Sequence, residues 1–183
     1  KELLSNELKL KYPFLSSRYA FKVCRIEPEN NLHVILEAFA DYEKMPLVII
    51  GNWMNSEYGK NLKIKFDKLD DIHLLDPIYD QQVLNQIRSN CYIYMHGHSA
   101  GGTNPSLVEA MYLGLPVVAY GVQYNKETTE DKALYFDSKD TLVRLLESVD
   151  DERLEKIAKD MHQIALEKYT WEKISNLYSG LFL

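Results

Sequence analysis

Two short runs constrain the fold of this chain more than any other feature: PLVIIG at 46–51 and LPVVAY at 115–120. Both are continuously apolar, with no polar alternation that would give one face to water. Strands of this kind are buried on both sides, which requires a parallel sheet with helices on each face. Four more runs are strand-like, at 19–26, 71–75, 91–95 and 133–136. Amphipathic stretches separate them. In 30–42, Leu32, Ile35, Leu36 and Phe39 recur at helical spacing behind Asn30 or Asn31 as a cap; 56–68 is a polar helix candidate and 81–89 another helix. From about residue 138 the pattern is helical throughout. The alternation predicts an α/β fold, a Rossmann-like doubly wound parallel sheet of about six strands with C-terminal helices.

At 183 residues the chain has the length of one domain, and its formal net charge of −6 excludes a nucleic-acid binder that works through a broad basic face. Cys24 and Cys91 lack metal-ligand spacing and sit in or beside apolar runs, as buried thiols in a reducing compartment do. No apolar run approaches a membrane span and no signal peptide opens the chain, which points to the cytoplasm. The first strand is followed by VCRIEPENN, without the G-x-G-x-x-G of a dinucleotide-dependent oxidoreductase. LVIIGNW ends in Gly-Asn, not in the aspartate of a receiver module. Residues 1–18 form a helix-like lead-in without an initiator Met, which suggests a piece of a longer protein.

In open parallel sheets, ligands bind beyond the carboxyl ends of the strands at the switch point. The stretch HGHSAGGTNPSLVEAM, 96–111, leaves such an end. Asn104 is an N-cap and Pro105 suits the first helical position, so a helix is expected to start there. Gly101 and Gly102 permit close backbone approach and positive φ. The helix start attracts an anion through its free amides and its dipole. Glu109, about 200° around the helix from Leu107 and Met111, points off the core. Arg25 leaves the first strand and is able to fork two phosphate oxygens. Spacing alone leaves other readings open. Gly-Gly before a capped helix is also an ordinary turn, Glu109 also complements the helix dipole, Arg25 also suits a surface ion pair, and His96 and His98 also suit hydrogen-bonded structural roles. No third ligand accompanies the histidines, so no metal is expected.

In order along the chain, VCRIEPENNLHVILEAF (23–39), PLVIIGNW (46–53), DIHLLDPIYDQQVLNQIRSN (71–90), GGTNPSLVEAMYLGLPVVAY (101–120) and YTWEKISNLYSGLF (169–182) resemble the C-terminal, nucleotide-sugar-binding half of retaining GT-B glycosyltransferases of family 4. The resemblance implies a donor-binding domain over 19–168, a crossing helix over 169–183 and an N-terminal acceptor domain outside this chain. It implies that Arg25 contacts the donor diphosphate and Glu109 the ribose hydroxyls, these two being the catalytic residues. The amides around Thr103 and Asn104 line the phosphates, Gly101 and Gly102 belong to the same donor site, and the backbone near Ile78 meets the base. No cofactor and no metal are implied; the donor is a nucleoside diphosphate sugar, the acceptor a glycan or lipid-linked molecule, and contact with the inner face of a membrane is peripheral.

The chain departs from the family pattern at four places. The first glutamate of the Glu-x7-Glu pair falls at Gly101, the basic residue after Pro28-Glu29 is Asn30, Pro105 has no amide, and Cys24 stands where a glycine precedes the arginine. The GGTNPSLVEAM form most resembles a branch associated with rhamnosyl transfer in bacterial surface polysaccharides, with His98 replacing part of the lost sugar contacts. The rival readings are a nucleotide-sugar epimerase of the same architecture and a degenerate interaction domain. By itself the chain is expected to transfer no sugar at a useful rate.

Overall fold

A computed structural model describes residues 2–180. The lead-in holds a short helix, α1 (Asn6–Lys11), and a 3-10 turn, Pro13–Ser16. Six strands follow: β1 (Ala20–Val23), β2 (Leu47–Ile50), β3 (Ile72–Leu75), β4 (Ile93–His96), β5 (Val117–Tyr120) and β6 (Leu134–Phe136). Every pairing is parallel and the order is β3-β2-β1-β4-β5-β6. The two central strands, β1 and β4, are therefore the place where the winding reverses. All four residues of β2 and of β4 are buried; β2 is continuously apolar, whereas β4 ends in His96.

The crossovers carry α2 (Leu32–Asp41), α3 (Glu57–Phe66), α4 (Gln81–Ser89), α5 (Pro105–Tyr112) and α6 (Gln123–Thr128). After the sheet come α7 (Lys139–Ser148), α8 (Asp151–Lys168) and α9 (Trp171–Ser179). Helix α2 packs on α3 and α7, and α5 packs on α8, so both faces are covered. Sequence-local chemistry sets the helix starts. Asp80 accepts hydrogen bonds from the amides of Gln82 and Val83, Ser138 and Thr141 form a capping box, and Asp150 accepts from Arg153. Each such cap contributes about 1 kcal/mol.

Two buried polar anchors tie the sheet to its neighbours. The Trp53 indole donates to Leu75 O (3.0 Å) and the Tyr19 hydroxyl to Ile87 O (2.6 Å). Tyr94 is fully buried, whereas Tyr92 reaches out to Arg18 and Asp151 at the start of α8. Burial, reinforced by Asp151, pushes the Tyr92 phenol up to about 12. Cys91 is buried, but Cys24 only partly, because the chain leaves the sheet at that point. No helix among the described residues is long and apolar enough to cross a membrane. In α9 no described side chain is buried; Trp171 is 84% exposed and Tyr178 64%. Residues 181–183 of the segment expected to form the crossing helix lie outside the described residues.

Candidate functional site

The loops leaving β1 and β4 are tied to each other at the switch point. Asn31 adopts the left-handed conformation (φ 48°), and its side-chain amide donates to Gly97 O at 2.8 Å instead of capping α2. Ser99 donates to Glu29 O through its amide (2.8 Å) and its hydroxyl (3.0 Å). Asn30 is buried, and its side chain donates to Arg25 O at 2.9 Å, which shapes the turn carrying Arg25. From β5 and α6, Asn125 donates to both His98 O and Tyr120 O at 2.9 Å. Three loops thus form one floor. Gly97 sits at its tightest point, where a Cβ would lie 2.2 Å from Asn30 O. Gly97→Ala is expected to separate the two loops and to lower stability by about 1–3 kcal/mol, measurable by denaturant unfolding.

Above this floor the motif loop is open. Gly101 has φ 80° and, like Gly102, has nothing within 4 Å of a built Cβ; Gly102 does not adopt positive φ. Thr103 is exposed, its hydroxyl 3.5 Å from that of Thr128. Asn104 caps α5, accepting from the Ser106 amide at 3.0 Å, and Pro105 follows at the first helical position. The loop before α5 is therefore open at Gly101 and Gly102. Arg25 is exposed, and no side-chain hydrogen bond or ion pair engages it among the described residues.

Beneath the loops lies a group of nitrogen bases that the sequence reading largely missed. Lys22, in the middle of β1, is 1% exposed, and burial lowers its pKa. His96 is also 1% exposed, and among the described residues neither of its ring nitrogens has a hydrogen-bond partner. The hydrogen-bonded structural role expected for it is thus not what the fold provides; it stacks on Tyr94 with ring centroids 6.3 Å apart. Burial, then Lys22 and His98, holds the His96 pKa well below its ordinary value. His98 is half-buried; burial and then Lys22 lower its pKa, Arg25 adds to this, and Glu29 opposes it. Both imidazoles are neutral at neutral pH, beside a lysine and an arginine.

The sign of the pH dependence follows. An unfolded histidine takes up a proton near its ordinary value of 6.5, whereas folded His96 does so only at lower pH. Stability is thus fully present above about 6.5 and is lost as pH falls from there through the folded pKa. His96→Leu removes two unpartnered buried nitrogens. It is expected to raise stability by on the order of 1 kcal/mol and to flatten that acid limb in unfolding curves taken at several pH values.

Glu109 occupies different surroundings from Arg25. It points off the core, as its helical position dictates, but toward the last turn of α4, where the Arg88 guanidinium pairs with Oε2. Arg88 and Glu109 line a cavity of about 560 Å³ together with Asn85, Tyr112, Tyr169 and Trp171. Arg25, Ile78, His98 and residues 101–104 do not line it, so this cavity gathers only Glu109 of the residues expected to hold the donor. Ile78 is half-buried on the loop between β3 and α4, packed against the core. Among the described residues no group of three or more His, Cys, Asp or Glu is arranged to hold a metal ion.

Residues 7–168 match the family model of glycosyl transferases group 1. The chain belongs to the glycosyl transferase group 1 family. No curated protein matches it at a significant level. Among solved structures, this group 1 domain is similar to Anabaena HepE in complex with UDP-glucose (TM-score 0.81, 17% identity, 96% of this chain and 51% of that one). It is also similar to sucrose-phosphate synthase from Thermosynechococcus elongatus (TM-score 0.77, 15% identity, 98% and 49%). A third relative is the C-terminal domain of the group 1 family protein LpcC from Francisella tularensis (TM-score 0.72, 18% identity, 92% and 96%). The group 1 domain spans about half the length of HepE and of the synthase, and shares with them the fold of one half of a GT-B protein.

Proposed function

We propose that this group 1 domain is the donor-binding half of a glycosyltransferase and holds a nucleoside diphosphate sugar at the β1–β4 switch point. The observation that carries the reading is the latched floor itself. It ties the turn that carries an exposed, unengaged Arg25 to the loop that runs on into Gly101–Asn104, with Lys22 and His98 close by. As the glycosidic bond breaks, negative charge gathers on the departing diphosphate. In this reading Arg25 and the amides around Thr103 and Asn104 stabilise that charge. Glu109 holds the ribose hydroxyls and the backbone near Ile78 meets the base.

Gly101 offers no carboxylate to the donor sugar. The neutral imidazole of His98, able both to donate and to accept, takes part of that role, which suits a 6-deoxy sugar such as rhamnose in surface-polysaccharide synthesis. The chemistry needs no metal or other cofactor in this reading. Transfer is retaining and takes place in the cytoplasm, at or near the inner membrane face. The acceptor, a glycan or a lipid-linked molecule, is held by an N-terminal domain. The exposed Trp171 and Tyr178 of α9 support a helix that packs on such a domain. HepE, solved with UDP-glucose, supports the donor class.

Thermal unfolding in the presence of UDP, dTDP, GDP or NAD tests the reading. One nucleoside diphosphate at about a hundred times its Kd is expected to add about 2.7 kcal/mol, with no shift from NAD. Unchanged unfolding with all three diphosphates would contradict it.

A further inference from the structure

The Arg88–Glu109 pair is built in an unusual sense. In most surface pairs the long arginine stem carries its charge out to water. Here the arginine side chain is 10% exposed and the shorter glutamate 54%. The guanidinium is divided between two partners, Nη1 donating to Glu109 Oε2 and Nη2 to Asn85 Oδ1 at 2.8 Å. Asn85 is itself tied down, its amide nitrogen donating to Glu2 Oε1 at 3.3 Å. One carboxylate oxygen is thus gripped from the α4 side by a held cation, while Oε1 makes no hydrogen bond among the described residues and the side chain is half open to solvent. The planar fork matters, because a lysine ammonium on a flexible stem does not hold two partners in one fixed geometry.

We propose that Arg88 is a positioning residue, fixing Glu109 through Oε2 so that Oε1 is presented to a sugar hydroxyl of the donor nucleoside. This rests on the reading in which Glu109 holds that sugar. A tie serving only to join α4 to α5 gives no reason for the carboxylate to be the exposed partner. A positioning role does.

The test is calorimetric titration of the chain with the tightest-binding of UDP, dTDP and GDP, and separately with inorganic pyrophosphate, which has no sugar. Arg88→Lys and Arg88→Gln are each expected to weaken the nucleoside diphosphate roughly five- to tenfold and to leave pyrophosphate within about twofold of wild type. Either change is expected to add little in a Glu109→Gln background, since the two residues act on one contact. Arg88→Lys keeps the buried charge and guards against simple misfolding. Equal losses on both ligands would show a structural tie only and overturn the proposal, as would no loss on either. If Glu109→Gln binds the nucleoside diphosphate like wild type, the reading of Glu109 fails instead. If Glu109→Gln weakens binding while both Arg88 variants do not, only the role of Arg88 falls. No binding of any nucleoside diphosphate by wild type would sink both.

Discussion

Glu109→Ala is expected to cost about 2–3 kcal/mol of stability and, separately, to weaken nucleoside diphosphate binding by roughly tenfold or more. The stability loss arises at Arg88. Its guanidinium is largely buried, and without the carboxylate it keeps only Asn85 as a partner while its Nε already has none among the described residues. Stranding a fully buried charge typically costs about 3–5 kcal/mol; the half-exposed carboxylate places this pair below that range. Denaturant unfolding measures the first effect and calorimetry the second. Glu109→Gln separates them, because a neutral amide oxygen still accepts from Arg88. A Glu109→Ala protein as stable as wild type would show that the ion pair contributes nothing to the fold.

Arg25→Ala is expected to behave in the opposite way, leaving stability within about 0.5 kcal/mol of wild type and weakening nucleoside diphosphate binding by about 1.5–3 kcal/mol, roughly 10- to 150-fold. Arg25 is exposed and engages no described side chain, so its removal strands nothing. Its charge is unspent in the free domain, and a charge-assisted fork to two phosphate oxygens is among the stronger contacts such a side chain makes. The same titration with pyrophosphate should show a comparable loss, unlike the Arg88 variants. The two arginines therefore differ in what they support: Arg25 the ligand, Arg88 a carboxylate.

The framework of the fold is legible in the sequence because it rests on local chemistry. The continuous runs at 46–51 and 115–120 become β2 and β5, and Asn104-Pro105 starts α5 at the expected residue. The expected strand over 19–26 ends at Val23, since Arg25 to Asn31 must turn to meet Gly97 and Ser99. Helix α6 has no sequence signature because it buries Asn125 and Thr128, not an apolar stripe; Asn125 donates to His98 O on another loop and Thr128 to Tyr124 O one turn back. Gly101 shows the expected positive φ, a property carried by the residue itself.

What was not legible is long-range and polar. Arg88, in the last turn of a helix, reads as a cation complementing the dipole, and nothing nearby in sequence announces a partner 21 residues away. Lys22 is the exception, since a charge inside a two-sided buried strand is a signal in the sequence itself that demands a reason. The unpartnered state of His96 depends on which side chains the finished sheet brings to its ring, and no spacing rule predicts that.

The most direct test of the central claim is calorimetric titration of the chain with UDP, dTDP and GDP, each against wild type and Arg25→Ala. The account predicts saturable binding of at least one nucleoside diphosphate, weakened roughly tenfold or more by the substitution while the fold stays intact. Equal affinity for the two proteins, or no binding of any of the three, would contradict a donor site at the β1–β4 switch point.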